Sequence, residues 1–272
     1  MPSATTSGPC VPVRRTAPPS AAPGAPDRTT QPTDIEGDQL VGGFVLGHMG
    51  VYDPLCTRIA AQARVVVVTV GYRMAPEHRA PLAAHDCLDA TRWAIEHAAE
   101  IGARTDAVGV TGDSAGGNLA AGIAQTLRDE GFPGLRHQAL VYPAPDLTDR
   151  ETDDLQLLNQ RYPVLTPDMM RSFRSLYLGE EGDDRDPIVS PAFGDLTGLP
   201  PALVQTAEVD PLRPDGDAYA QALREAGVEV RHTTYRGAPH GYQTFPGLAP
   251  AAAPALEELI GEIAHHLHEE HP

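Results

Sequence analysis

A serine in a tight, glycine-flanked turn is the group in this chain best placed to act as a nucleophile. Ser114 stands in the pattern G-x-S-x-G between Gly112 and Gly116. The apolar run 107–110 before it predicts a strand, and the small-residue run 117–124 after it predicts a helix. A strand, this pattern and a helix in that order are typical of a turn that exposes the serine hydroxyl at the carboxyl edge of a sheet. The pattern therefore predicts a nucleophilic serine.

A serine nucleophile needs a base, and the base needs a carboxylate that orients it. Asp210 follows the predicted strand 202–206 and its extension, and His240 lies in a glycine-flanked loop just after a strand that ends at Tyr235. Both residues are therefore expected at the same sheet edge as Ser114. Two ordinary alternatives stay open, since Asp210 could cap a helix and His240 could be a simple loop histidine. Glu208 is a competing carboxylate, which strand alternation would turn to the other side.

The elements that must position these residues alternate along the chain. We predict strands at 64–70, 107–110, 138–142, 202–206 and 228–235, and helices at 83–99, 117–124, 167–178, 217–226 and 251–268. Such alternation predicts an α/β fold with a mostly parallel, doubly wound sheet and helices on both faces.

Two segments depart from this alternation. Residues 1–38 are rich in Pro, Ala, Thr and Ser, so we predict a disordered extension ahead of a single domain at 39–272. The long acidic stretch at about 147–194 holds one predicted helix, 167–178, and is expected to form a small helical cap. Met169, Met170, Phe173 and Tyr177 follow helical spacing there; they would either line a substrate pocket or pack the cap onto the core.

Composition excludes several classes of function. A formal net charge of −17 over 272 residues argues against nucleic acid as a partner. The chain has no apolar run of 18 residues, which argues against a membrane span. Three cysteines without metal-type spacing do not suggest a disulfide framework.

We read no signal peptide and expect a cytoplasmic protein. The sequence leaves a homodimer open. We predict no metal site. His268 and His271 of the histidine-rich tail 265–271 would share a helical face, but no carboxylate–histidine geometry is fixed there, and the acidic run 180–186 lacks the spacing of calcium ligands in an EF-hand.

The chain resembles the hormone-sensitive-lipase-like branch of the α/β-hydrolases, which holds the bacterial type IV carboxylesterases. The segments that carry the resemblance are 43–47 (GFVLG), 72–78 (YRMAPEH), 112–120 (GDSAGGNLA), 190–191 (SP), 207–213 (AEVDPLR) and 237–241 (GAPHG). The resemblance implies an α/β-hydrolase fold with a small cap and the hydrolysis of a small carboxylic ester without a cofactor. It makes Ser114 the nucleophile, His240 the general base and then acid, and Asp210 the residue that orients His240.

Two departures from the family pattern concern the N-terminal part. Where the family has H-G-G-G, this chain has Leu40-Val41-Gly42-Gly43. We therefore expect an oxyanion hole built from the N–H groups of Gly42, Gly43 and Ala115. The family's central strand before that motif falls on residues 33–39, which make a poor strand. We expect the N-terminal strands to be missing or altered and residues 1–38 not to be the original N-terminus. Either residues 39–46 fill the central position imperfectly, or the fold is compromised there.

The leading function is that of a serine hydrolase that cleaves short- to medium-chain carboxylic esters through an acyl-enzyme intermediate. One alternative is a deacetylase or lactonase of a specialised metabolite. The other is a catalytically impaired remnant or a ligand-binding protein on the same fold, because the altered segment removes part of the family's oxyanion motif.

Overall fold

The structure is a computed structural model, and it describes residues 10–15, 43–47, 49–149, 161–162, 164–244, 247 and 249–268. The strands are β1 (Cys10–Arg15), β2 (Val65–Thr69), β3 (Ala103–Asp113), β4 (Leu135–Val141), β5 (Ala202–Val209) and β6 (Val230–Pro239). The helices are α1 (Asp53–Ala63), α2 (Leu82–Glu96), α3 (Ala115–Asp129), α4 (Pro167–Leu178), α5 (Arg213–Glu225) and α6 (Ala252–His268). Short 3-10 turns occupy Met49–Val51, Pro191–Phe193 and Tyr242–Thr244.

The strands form one six-stranded sheet in the order β2-β1-β3-β4-β5-β6. The four strands from β3 to β6 pair in parallel. Their carboxyl ends therefore lie at one edge of the sheet, and the loops that follow these four strands lie at the same edge. The predicted mostly parallel α/β architecture is confirmed.

Helices cover both faces of this sheet. Along β4, Leu140 packs into a core that includes side chains of α2, α3 and α5. Its neighbours Ala139 and Val141 point to the other face and pack with side chains of α1 and α6. Because successive strand residues face opposite sides, a strand buried by both layers is mainly apolar along its length. This explains why the predicted strands read as continuous apolar runs.

The strand β1 corrects the prediction of disorder at 1–38. Cys10–Arg15 pairs antiparallel with both β2 and β3, with Val13 opposite Val66 and Val108. A gap between those two strands would leave their backbone N–H and C=O groups without partners inside the sheet, which is costly. The segment supplies that pairing, so the prediction is wrong for these six residues. The rest of 1–38 lies outside the described residues.

The interpretation in which residues 39–46 fill the central position is wrong for the described residues 43–46. Gly43 to Val45 form a turn, and Leu46 makes only an isolated bridge. Both Gly43 and Phe44 have a positive φ, which suits a turn and not a strand. The place between β2 and β3 is filled by β1, and residues 43–47 form a loop. Residues 39–42 lie outside the described part of the chain.

Helix α1 was not predicted from the sequence. Its buried side chains Cys56, Ile59 and Ala63 recur at helical spacing. The short apolar side chains hid this pattern, because alanine and cysteine also occur freely in loops. Among the residues that the structure describes, no helix combines the length and apolar character needed to cross a membrane.

Candidate active site

The turn between β3 and α3 holds Ser114 in a conformation that few residues adopt. Its φ is 53° and its ψ is −119°, and its N–H donates to the carbonyl oxygen of Val141 at 2.9 Å. A Cβ added at Gly112 would overlap the carbonyl group of Gly116. Gly112 is therefore required by the closeness of the strand to the helix backbone at Gly116. Backbone strain of this kind persists only where the surrounding structure fixes it.

The structure brings the three predicted catalytic side chains into one hydrogen-bonded chain. Ser114 Oγ lies 2.9 Å from Nε2 of His240, and Nδ1 of His240 lies 2.7 Å from Oδ2 of Asp210. Since the carboxylate can only accept, Nδ1–H donates to it and Nε2 is left to accept the serine proton. Asp210, Ser114 and His240 are 2%, 7% and 8% exposed. The chain is thus shielded from water yet reachable from the cavity beside it.

Strand ends and the turns after them place the other two members of this chain. Asp210 comes directly after β5, and His240 directly after β6. The second carboxylate oxygen of Asp210 accepts from the N–H of Leu212 at 2.9 Å. Asp210 therefore also stabilises the start of the connection to α5, so its capping and orienting roles coexist. Glu208 instead accepts from the N–H of Gly237 at 2.7 Å and does not contact the imidazole.

A buried cluster that the sequence analysis missed lies next to the catalytic histidine. The ring of Tyr142 meets the ring of His240 edge-on, with centroids 4.9 Å apart. The hydroxyls of Tyr52 and Tyr142 donate to Oδ2 of Asp113 at 3.1 and 3.3 Å. Burial raises the pKa of the Asp113 carboxyl, against the hydrogen bonds from both tyrosines and the charge of His240. The one sequence signal was that Tyr142 lies at the end of the predicted strand 138–142; in the structure it directly follows β4.

Two of the three predicted oxyanion-hole residues border the catalytic cavity. Gly43 and Ala115 both line it, together with Ser114 and His240. Ala115 is the first residue of α3, where backbone N–H groups point out of the helix and attract negative charge. Gly42, the third predicted residue, lies outside the described residues.

The cavity has a volume of about 370 Å³ and lies between the catalytic residues and the cap helix α4. Met169, Met170 and Phe173 of α4 line it. The same three side chains pack against the buried cluster of Ala144, Leu165 and Leu212. The two interpretations left open by the sequence, pocket lining and cap packing, therefore both hold for these residues. Tyr177 differs, because it does not line the cavity and is fully buried against Phe44.

One group of described side chains has the composition of a metal site, and it lies away from the catalytic cavity. Ligand atoms of His137, Glu262 and His266 lie within 4.8 Å of one another. The two imidazole rings stack almost in parallel, at 14° and 4.6 Å between centroids. Each imidazole nitrogen lone pair lies in the plane of its ring, so the lone pairs of two nearly parallel rings do not converge on one metal position. We therefore interpret the group as a stacked pair of histidines. His268, a member of the histidine-rich tail, lies with its Nε2 2.8 Å from the carbonyl oxygen of Ala63.

A strained serine turn, a serine–histidine–aspartate chain and a capped parallel sheet define a hydrolase of the α/β class. Comparison with known families agrees, because the model of the α/β-hydrolase fold family matches residues 41–244. The chain belongs to that family.

Individual relatives narrow this class. The chain is 39% identical over 238 residues to the carboxylesterase NlhH of Mycobacterium tuberculosis, which covers 84% of this chain and 72% of that protein. It is 40% identical over 230 residues to the esterase LipI of the same organism, covering 84% of this chain and 71% of LipI. These relatives confirm the resemblance to the carboxylesterases of this family.

Solved structures give the same result. A hyperthermophilic esterase from the archaeon Pyrobaculum calidifontis superposes with a TM-score of 0.77 at 39% identity, covering 82% of this chain and 74% of that one. The thermostable carboxylesterase EstE1, cloned from a metagenomic library, superposes with a TM-score of 0.79 at 36% identity, covering 84% and 78% of the two chains.

Proposed function

We propose that Ser114, His240 and Asp210 are the catalytic triad with which this ester-hydrolysing enzyme cleaves short- to medium-chain carboxylic esters. The family and its carboxylesterase relatives establish the ester-hydrolysing class. The observation that carries the assignment of residues is the chain of two hydrogen bonds, 2.9 Å from serine to histidine and 2.7 Å from histidine to aspartate. This chain opens onto a largely apolar cavity.

The geometry supports a two-step reaction. Nε2 of His240 takes the hydroxyl proton of Ser114 while Oγ bonds to the ester carbonyl carbon. The carbonyl oxygen then carries the negative charge, which the N–H groups of Gly43, Ala115 and Gly42 stabilise. His240 returns the proton to the leaving alkoxide as the C–O bond breaks, leaving an acyl group on Ser114. Water repeats the sequence, releases the carboxylic acid and restores the serine.

Asp210 keeps the imidazole in the reactive tautomer throughout this cycle. Its carboxylate accepts from Nδ1–H of His240 and from the N–H of Leu212. Two donors compensate an ionised group at a buried position, which would otherwise be expensive. When His240 carries the transferred proton, the same carboxylate stabilises the imidazolium.

The cavity limits the size of the substrate. A volume of about 370 Å³ lies at the small end of the range for small-molecule sites, roughly 300–1,000 Å³. Methionine and leucine side chains at its wall suit an acyl chain of a few carbons. Neither the deacetylase or lactonase nor the impaired remnant gains support from the carboxylesterase relatives. A homodimer and a cytoplasmic location stay predictions.

The test is hydrolysis of p-nitrophenyl butyrate by the purified protein and by Ser114→Ala. We expect the variant to lose at least about 10⁴-fold in kcat, since the nucleophile is removed. Ser175→Ala, which changes an exposed serine on the cap helix, is the matched control and should retain wild-type turnover. Turnover that survives in Ser114→Ala would overturn the proposal. A fluorophosphonate probe should label the wild type and the Ser175 variant but not Ser114→Ala.

A further inference from the structure

The loop that carries Gly43 is held in place by the cap helix. In this chain Leu40 stands where the family motif has its histidine, so other contacts must fix the loop. Phe173 and Tyr177 are four residues apart on α4 and therefore project from the same side of that helix. The two side chains contact consecutive residues of the loop, Gly43 and Phe44.

The first contact lies between Phe173 and Gly43. A Cβ added at Gly43 would overlap the ring of Phe173, so the ring lies directly against the glycine backbone. Gly43 has a φ of 70°, a conformation that glycine adopts without steric cost. Phe173 also lines the catalytic cavity. It therefore contacts the loop on one side and the substrate space on the other.

The second contact lies between Tyr177 and Phe44. Their rings stack with centroids 3.9 Å apart and an interplanar angle of 4°, and they are 0% and 4% exposed. The loop 75–80 connects the two residues through the backbone. The N–H of Ala75 donates to the carbonyl oxygen of Phe44 at 3.1 Å, and the N–H of Ala80 donates to that of Tyr177 at 2.8 Å. Phe44 is thus held on both its ring and its backbone.

We propose that Phe173 and Tyr177 are positioning residues that hold the oxyanion loop at Gly43 against Ser114. This inference rests on the proposed function, since it assigns a role to the cap in the same reaction. The cap helix and the oxyanion hole are then coupled. A displacement of α4 would move the loop that carries Gly43, and with it the backbone that faces the reacting carbonyl oxygen. Small displacements matter here, because a misplacement of about 1 Å can cost roughly 10²-fold in rate.

Tyr177 offers the cleaner test, because it does not line the cavity. Tyr177→Leu removes the ring stack and keeps an apolar residue at the buried position. We expect its kcat for p-nitrophenyl butyrate to fall about tenfold or more while KM changes less than about threefold, since the interaction lost stabilises the transition state. Tyr177→Phe keeps the ring and removes a buried hydroxyl that has no hydrogen-bond partner among the described residues. It should therefore recover the wild-type kcat.

A pair of inhibitors separates a displaced oxyanion loop from a general loss of packing. A trifluoromethyl ketone adds to the serine and forms an oxyanion, whereas the methyl ketone of the same chain length only occupies the pocket. We expect Tyr177→Leu to weaken the trifluoromethyl ketone by the same factor as kcat/KM and to leave the methyl ketone within about twofold, since only the first inhibitor needs the oxyanion hole. Leu176→Ala, at an exposed position on the same helix, should change neither.

The outcomes are distinguishable. If the wild type shows no turnover that depends on Ser114, the proposed function fails first. If that turnover is present and Tyr177→Leu matches Leu176→Ala in kcat, or both ketones weaken equally, the positioning role is overturned. Should thermal melting show that Tyr177→Leu does not fold, Phe173→Leu puts the same question from the other contact. It shrinks the surface against Gly43. Because Phe173 also lines the cavity, the readout for this variant is the ratio of the two ketone affinities, and we expect the trifluoromethyl ketone to weaken more than the methyl ketone.

Discussion

The buried carboxylate of Asp210 divides its two oxygens between two tasks. Oδ2 binds Nδ1 of His240 at 2.7 Å, and Oδ1 accepts the N–H of Leu212 at 2.9 Å. The second bond stops the carboxylate from rotating, so the imidazole has one preferred orientation. In that orientation Nε2 faces Ser114 Oγ. In the proposed mechanism, the reactivity of Ser114 therefore depends on a residue that never touches the substrate.

Replacing this carboxylate by an amide tests that dependence. Asp210→Asn keeps the size of the side chain and can still accept from Leu212. Its amide can donate to Nδ1, which stabilises the wrong imidazole tautomer and leaves Nε2 protonated. We expect kcat for p-nitrophenyl butyrate to fall by about 10³–10⁴-fold with KM little changed. Asp195→Asn, at an exposed site, is the control, and an Asp210 variant that keeps a tenth of the wild-type kcat would contradict the assignment.

The sequence pointed to the three residues that form the hydrogen-bonded chain Ser114–His240–Asp210, but not to the groups around them. Ser114 is marked by its glycine-flanked pattern, in which the close strand–helix contact requires Gly112. Asp210 and His240 are marked by their position after strands. Tyr142 and Tyr52 carry no such mark, because their contacts with Asp113 join residues far apart in sequence. Those contacts depend on how the loops fold over the sheet edge, which local patterns do not encode.

The serine turn links β3 to α3 at a separation that tolerates no side chain at Gly112. Gly112→Ala would push the helix start away from the strand, because its Cβ would overlap the Gly116 carbonyl. We expect the free energy of unfolding to fall by about 1–3 kcal/mol, and kcat to fall with it as Ser114 moves from His240. Urea-induced unfolding and the butyrate assay measure the two effects.

A second glycine provides the control for this substitution. A Cβ at Gly261, within α6, would meet nothing within 4 Å. Gly261→Ala should therefore stabilise the protein by about 0.5–1 kcal/mol, because alanine favours the helix and restricts the unfolded chain. Equal unfolding free energies for the two variants would show that the turn does not need its glycine.

The elements that sequence patterns missed are those fixed by distant partners. The strand β1 is composed partly of residues that also suit a loop, and its place is set by the unpaired edges of β2 and β3. This pairing of β1 also affects the candidate active site, because residues 43–47 are not needed in the sheet and form the loop that carries Gly43. Helix α4, in contrast, was predicted with its observed bounds, since Thr166 caps its first turn and proline begins it.

At the scale of the whole molecule, a histidine pair lies between the sheet and its covering helix. His137 of β4 is 1% exposed and stacks on His266 of α6. Burial lowers the pKa of His137 well below its ordinary value, and the neighbouring His266 and His265 lower it further. Glu262, which lies 3.6 Å from His266, is the acidic group facing the pair. The folded protein therefore keeps His137 neutral at a pH where the unfolded chain would protonate it.

This difference predicts a loss of stability on mild acidification. Above the ordinary histidine pKa of about 6.5, both states leave His137 neutral and its titration has no effect. Below that pH, His137 binds a proton in the unfolded chain but stays neutral in the folded protein. The free energy of unfolding therefore falls by up to about 1.4 kcal/mol per pH unit. His232, whose pKa burial also lowers, adds to the same slope. The carboxylates with lowered pKa values, such as Glu258, lose their contribution only at more acidic pH.

Urea-induced unfolding at pH 7.5 and 5.5 measures the effect, and His137→Leu isolates it. Leucine keeps the buried position apolar and removes the titrating group. The variant should therefore lose about 1 kcal/mol less stability than the wild type between these two pH values. His85→Leu, at an exposed position on α2, should keep the wild-type slope. If His137→Leu and the wild type lose the same stability on acidification, the sheet–helix interface takes up a proton without cost, and the histidine pair does not limit the acid stability of this enzyme.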